Sequence, residues 1–226
     1  MISKEPQPGT EPHLMTPTTS PPPDNPQPII TLLTLPLEIR LEIYTYLFLL
    51  PAYTPHQDTD LVHARVHPAL LATCSQIHAE AAPLLYAANS WQAHYALLAA
   101  LPRLRACHRP VIAARPRAAM RRWRLRVRLD VLCPFTTDAA AEAFSGADEV
   151  ELEVRQATFW GGAGVEALGA LHGVRGVRRV RVFGSTAGFG GYLHWLAGSM
   201  TAPVGAEVGE YVATDETERK RLCGWS

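Results

Sequence analysis

Apolar residues recur at helical spacing between residues 35 and 50, and polar residues interrupt them on one side only. This pattern predicts a helix that Thr34 caps and Pro51 ends. Pro36 falls in the first turn, where the N–H that proline lacks would have no helical partner. The first element predicted along the chain is therefore a helix of about four turns.

A second stretch of helical spacing begins at Pro68, after residues 51–67, which predict a loop because they carry two prolines and mixed polarity. Pro83 predicts a break in this second helix, because proline suits a first turn far better than a helix interior. We therefore expect a new short helix from Pro83 to Ala88 and a further helix from Ala93 to Leu101.

The spacing changes to two residues in the second half of the chain, which indicates strands with one buried face. The alternating segments are Trp123–Leu129, Glu149–Val154 and Arg179–Phe183. Helices are predicted between them, at Asp138–Phe144 and Gly164–His172. This order predicts a βαβαβ unit of parallel strands, with both helices over the Val/Leu face. A helix at Tyr192–Ala197 and a weak strand at Glu207–Val212 can extend it.

The chain as a whole predicts an α+β fold in four parts. Nine of the 19 prolines fall in residues 1–28, which predict a disordered tail because so polar a segment cannot bury enough apolar surface. A helical module follows at residues 29–91, a small α/β region at residues 93–212, and a flexible tail at residues 213–226.

The net charge gives no evidence for a nucleic-acid, anionic-membrane or basic partner, since Lys plus Arg and Asp plus Glu both number 21. The four cysteines lie far apart without metal-ligand spacing and are expected to be reduced thiols. The first 15 residues lack the apolar core of a signal peptide, and no run is long enough for a membrane span. We expect a cytoplasmic or nuclear protein without a membrane partner.

The first predicted helix has two apolar patches, which is more than a short helix at the edge of a small domain needs. One patch consists of Ile39, Ile43, Tyr46, Leu47 and Leu50, and the other of Leu37, Leu41, Tyr44 and Phe48, with Arg40 between them. Glu38, Glu42 and Thr45 form a polar stripe. Either the rest of the chain covers both patches, or one patch binds a partner.

Two sequence blocks resemble a known family. Leu32-Leu-Thr-Leu-Pro-Leu-Glu-Ile-Arg-Leu-Glu-Ile-Tyr-Thr-Tyr-Leu47 resembles the opening of an F-box, in which Leu-Pro precedes Glu-Ile and an apolar helix. The segment from Leu70 to Asn89 is similar to the second half of the F-box-like proteins of filamentous fungi. The blocks lie within residues 32–89, a stretch of about 60 residues.

The resemblance implies a substrate receptor of an SCF-type cullin-RING ubiquitin ligase, which docks on the ligase's adaptor subunit and recruits an unknown protein substrate. Carried over by position, the adaptor-binding residues are Leu35, Pro36, Ile39, Ile43 and Leu47. The α/β region resembles an irregular leucine-rich-repeat array, and a small two-layer sheet describes it equally well. The alternative is a self-contained structural or interaction protein with an F-box-derived fold and no ligase role.

Ten arginines lie between Arg103 and Arg128, which raises the possibility of an arginine-lined nucleic-acid surface. Glu149, Glu151 and Glu153 alternate in the neighbouring strand, so we expect an Arg–Glu ladder that neutralises much of this charge. The ladder argues against a nucleic-acid partner.

No motif indicates catalysis or cofactor binding. The glycines around Gly162 match a loose dinucleotide fingerprint, but the next strand ends at Phe183-Gly184 without the acid that would hold a ribose hydroxyl. The sequence has neither His-Glu-x-x-His nor Gly-x-Ser-x-Gly. We therefore expect a protein that is not an enzyme and holds no cofactor or metal.

Overall fold

A computed structural model describes residues 30–51, 65–156, 166–188 and 190–213. The described residues up to Leu35 form one compact unit, and those from Pro36 onward form a second. In the first unit, a single 3-10 turn at Leu32–Thr34 is closed by the Thr34 hydroxyl, which accepts from the Thr31 N–H at 3.1 Å and donates to its carbonyl at 2.8 Å. Thr34 therefore does not cap the first helix as predicted, because Thr31 occupies its hydroxyl.

Two helices open the second unit. α1 spans Leu37–Phe48 with Pro36 as its N-cap, and α2 spans Ser75–Ala88 after a 3-10 turn at Pro68–Ala72. The Cys74 sulfur caps α2 by accepting from the Ile77 N–H.

The predicted break at Pro83 is wrong, since α2 continues through it. Ile77, Ala81 and Leu85 are buried at four-residue spacing on both sides of the proline, so packing holds one helix axis across it. Pro83 itself lies on the exposed side, where its ring displaces no core residue.

In the described part of the chain, five strands form one mixed sheet in the order β2-β1-β3-β4-β5. Their bounds are β1 Ser90–His94, β2 Leu98–Arg103, β3 Arg122–Arg128, β4 Glu149–Arg155 and β5 Arg179–Gly184. β1 pairs with β2 antiparallel, and the other three pairings are parallel. The parallel β3, β4 and β5 match the three strands of the predicted βαβαβ unit, and the α+β class is confirmed.

The helix predicted at Ala93–Leu101 is wrong, because this segment forms the β1–β2 hairpin. Its Ala and Leu residues favour a helix by propensity, but burial decides the structure. Trp91 and Ala93 are buried at two-residue spacing, and Trp91 stands opposite Trp123 in the register of β1 and β3. β1 also spans the predicted boundary between the helical module and the α/β region.

The other helices within the described ranges are α3 Ala114–Ala118, α4 Thr137–Phe144, α5 Glu166–Gly169 and α6 Gly190–Thr201. Phe144 of α4 contacts the Trp123 ring edge-on at 5.8 Å, which places α4 over the apolar face of the sheet as expected. α6 confirms the predicted helix at Tyr192–Ala197. The weak strand predicted at Glu207–Val212 is absent, because these residues pair with no strand in the described part of the chain.

The two predicted tails, residues 1–28 and 213–226, lie outside the described residues except for Ala213. Within the described ranges, no helix combines the length and the apolar character that crossing a membrane requires.

Candidate protein-docking site

One side of α1 is held firmly by the rest of the second unit. Arg40, Tyr44 and Phe48 recur at four-residue spacing and are all buried, and the rings of Tyr44 and Phe48 lie 6.2 Å apart. These residues include two of the second predicted apolar patch, so that patch contributes to the core. The orientation of α1 about its own axis is thereby fixed.

Glu80 of α2 binds this side of α1 through a charged network. Its carboxylate accepts from Arg40 Nε at 2.9 Å and Nη2 at 2.6 Å, from the Tyr44 hydroxyl at 3.1 Å, and from the Gln76 amide at 3.0 Å. The hydrogen bonds from Arg40 are the main reason that the pKa of Glu80 is lowered to about 2. Burial is the main reason that the pKa of Tyr44 is raised.

Asn89 fastens the other end of α1 to α2. Its amide nitrogen donates to the carbonyls of Phe48 at 2.8 Å and Leu85 at 2.9 Å, and its oxygen accepts from the Leu50 N–H at 2.9 Å. Asn89 is buried, and its side chain satisfies backbone groups that the ends of both helices would otherwise leave unpaired.

The opposite side of α1 faces solvent. Ile39 is 45% exposed and Tyr46 is 78% exposed, whereas Ile43 and Leu47 are half-buried beside them. Glu42 lies next to Tyr46 on the helix surface and is also exposed. The exposed side therefore carries a stripe of Ile39, Ile43 and Tyr46, at positions i, i+4 and i+7, with an acid at its border.

The structure brings four of the five predicted adaptor-binding residues onto α1 or its cap. Pro36 and Ile39 are exposed, and Ile43 and Leu47 are partly accessible. Leu35 belongs to the N-terminal unit and is half-buried.

The sequence pattern did not predict the roles of Arg40, Glu80 and Asn89. Helical spacing puts Arg40 between the two apolar patches, and its four-residue spacing from Tyr44 also puts it on the buried stripe. The signal that could have predicted the Arg40–Glu80 pair is a charged residue on an otherwise apolar, buried stripe, because a buried charge needs a partner.

The arginines of β3 form the expected ladder with β4. Arg124 donates twice to Glu151 Oε2, at 3.1 and 2.7 Å, and Arg126 donates to Glu153 at 3.2 Å. On the other side of β4, Arg181 lies 3.0 Å from Glu149. The predicted Arg–Glu ladder is confirmed on this face of the sheet.

The described residues contain no group of three or more His, Cys, Asp or Glu side chains that could hold a metal ion. Cys74, Cys107 and Cys133 are free thiols. A scan against protein-family models and searches of curated proteins and solved structures found no match to this chain.

Proposed function

We propose that this protein is an F-box-type substrate receptor in which α1 docks on the adaptor subunit of an SCF-type cullin-RING ubiquitin ligase. The observation that carries the proposal is the exposure of Ile39 and Tyr46 on a helix whose other side is fixed by Arg40 and Phe48. The α/β region recruits a protein target, and the chain itself performs no chemistry.

The spacing of the exposed stripe suits docking of a helix in a groove. Side chains at i, i+4 and i+7 face the same way, and this is the set with which an amphipathic helix enters an apolar groove. Fully burying a side chain the size of Ile contributes roughly 1.5–3 kcal/mol, so two or three such residues can dominate an interface. Glu42 and Glu38 border the stripe and provide a polar rim.

The test is co-purification of the adaptor subunit with the full chain. Ile39→Asp puts a charge on the exposed stripe, where it leaves the buried side of α1 unchanged. The control is Ile112→Asp, which introduces the same charge at a residue that is 73% exposed and lies outside α1. We expect wild type and Ile112→Asp to recover the adaptor and Ile39→Asp to lose it at least about tenfold.

Circular dichroism and the melting temperature establish that both variants are folded. Equal recovery of adaptor by folded Ile39→Asp and Ile112→Asp contradicts docking through α1. Failure of the wild-type chain to bind adaptor contradicts the ligase role, and it favours a self-contained interaction protein.

A further inference from the structure

A cavity of about 550 Å³ opens on the charged face of the sheet, at the carboxyl ends of β1 and β3. Three strands and the segment that follows β3 enclose it, and its wall is mainly apolar, with Leu101, Val131, Leu132 and Phe135 among its residues. This volume falls within the roughly 300–1,000 Å³ that is typical of ligand sites. The described residues that line the cavity include none of α1.

The polar residues of this wall are basic or neutral. Arg103, Arg126, Arg128 and His94 line the cavity, and the described residues that line it include no Asp or Glu. His94 Nδ1 accepts from the N–H groups of Ala96 and Leu97, so its proton lies on Nε2. The described part of the wall can therefore donate hydrogen bonds to an anion and has no carboxylate among its lining residues.

The acids that pair with Arg126 and Arg128 are less exposed than the two arginines. Arg126 binds Glu153 at 3.2 Å and Arg128 binds Asp130 at 2.7 Å. The two carboxylate side chains are 4% and 2% exposed, whereas the two arginine side chains are 35% and 55% exposed. In both ion pairs the guanidinium group is therefore more accessible to solvent than the carboxylate that it binds.

Part of the apolar wall of the cavity is open to solvent. Tyr95 and Leu132 are among the most exposed large apolar residues of the described chain, and Val131 lies beside Leu132. A small molecule deep in the cavity would leave the exposed parts of these side chains in water. A peptide segment that crosses the cavity would cover them, and aromatic and apolar groups around a pocket are typical of protein-binding sites.

We propose that this cavity binds an acidic segment of a partner protein. An aromatic or aliphatic side chain of the segment enters the apolar cavity, and neighbouring Asp or Glu side chains pair with Arg103 and Arg128. The role of this segment as the target's recognition signal rests on the proposed function. Its binding is a property of this chain alone and needs no adaptor subunit.

The probes are labelled peptides measured by fluorescence anisotropy with the full chain. Acetyl-Asp-Glu-Phe-Asp-Glu-amide and its Leu counterpart carry both the anchor and the charge. The first control peptide replaces Phe by Ala, and the second replaces the acids by Asn and Gln. We expect each control to bind at least about tenfold more weakly, because each loses one of the two contributions. Raising salt from about 50 mM to about 500 mM should weaken the acidic peptides.

Matched variants of the protein locate the binding. Leu132→Ser is compared with Ile112→Ser, since these residues are 76% and 73% exposed and neither change disturbs the core. Arg103→Gln is compared with Arg109→Gln, since both arginines are exposed and only Arg103 lines the cavity. We expect the two cavity variants to weaken binding by about threefold to tenfold and the two controls to leave it unchanged.

Three results would overturn this inference. One is the absence of binding by both the Phe and the Leu peptide up to about 1 mM. Another is an equal loss of peptide binding in the cavity variants and in their control variants. The third is preferential binding of a single-stranded oligouridylate that Arg103→Gln weakens, which would assign the surface to nucleic acid. Because no adaptor is present in these measurements, their outcome does not decide whether α1 docks on the adaptor.

Discussion

The guanidinium of Arg40 lies against the carboxylate of Glu80, with Nε 2.9 Å from Oε2 and Nη2 2.6 Å from Oε1. This bidentate contact joins α1 to α2 and fixes the orientation of α1 about its own axis. With Arg40 turned inward, Ile39 and Tyr46 are turned toward solvent. The pair therefore determines which apolar residues of α1 are available to a partner.

The first prediction concerns the pH dependence of stability that Glu80 causes. Its pKa is lowered from 4.5 to about 2, so the ionised carboxylate stabilises the folded state above pH 4.5 and loses this effect as pH falls toward 2. Glu80→Gln does not titrate. In urea unfolding, the stability difference between wild type and Glu80→Gln should be constant above about pH 5 and shrink below about pH 4.

Arg40→Met provides the control, because it removes the main cause of the lowered pKa of Glu80. Its stability should depend less steeply on pH in the same acidic range. A wild-type advantage over Glu80→Gln that is unchanged between about pH 6 and about pH 2.5 argues against this role for the Arg40–Glu80 contact.

The second prediction concerns Asn89. Asn89→Ala leaves the Leu50 N–H and two carbonyls without their side-chain partner, which should lower the free energy of unfolding by about 2–4 kcal/mol. Asn89→Asp should cost at least as much, because it places carboxylate oxygens against the Phe48 and Leu85 carbonyl oxygens. Chemical denaturation measures both.

Gln76→Ala is the matched control for Asn89, since it removes one hydrogen bond from an exposed amide. It should cost less than about 1 kcal/mol. If Asn89→Ala costs no more than Gln76→Ala, then Asn89 does not fasten the two helix ends together.

Much of the sheet could be predicted because its strands alternate over five or more residues. Arg122–Arg128 and Glu149–Arg155 have an apolar face and a charged face, and this alternation indicates a strand whatever the tertiary context. Because parallel strands are joined by right-handed crossovers, the βαβ order then restricts the sheet to a few possible topologies. The ladder between these strands follows from the register that the topology imposes.

The β1–β2 hairpin could not be predicted in the same way. Its residues have the composition of a helix, and the turn contains no Asn-Gly or Asp-Gly signal. Leu98 takes a φ of 46°, a conformation that Leu rarely adopts, so tertiary packing rather than local preference forms the turn. The role of Arg40 could not be predicted for a related reason, because its partner Glu80 lies 40 residues away in the sequence.

The third prediction compares two glycines. Gly184 has a φ of 106°, and a Cβ there would lie 2.1 Å from the Val154 carbonyl oxygen of the neighbouring strand. Gly184→Ala should therefore destabilise the protein by more than about 2 kcal/mol. Gly198 lies within α6, where a Cβ would have no contact within 4 Å, so Gly198→Ala should stabilise by about 0.5–1 kcal/mol.

Thermal unfolding of both variants provides the measurement for this pair. The opposite signs are the essential result, since both changes add the same methyl group. A Gly184→Ala protein as stable as wild type means that β5 can shift away from β4 at this position without cost.

The fourth prediction concerns the buried pair of Arg124 and Glu151, whose side chains are almost inaccessible to solvent. Replacing either one by Met leaves a charge with its principal partner removed and should cost about 3–5 kcal/mol. The double variant removes both charges, so its cost should be clearly smaller than the sum of the single costs. Urea unfolding of the four proteins gives the coupling energy.

Arg178 and Asp148 provide the exposed comparison, at 3.5 Å on the surface. Their coupling should be below about 1 kcal/mol, because water and salt screen an exposed pair. Equal coupling in the two pairs would mean that burial does not strengthen the ladder. A strong coupling at Arg124 and Glu151 means that this pair stabilises the pairing of β3 with β4. The arginines at the carboxyl end of β3 would then be held in place to bind an anionic partner.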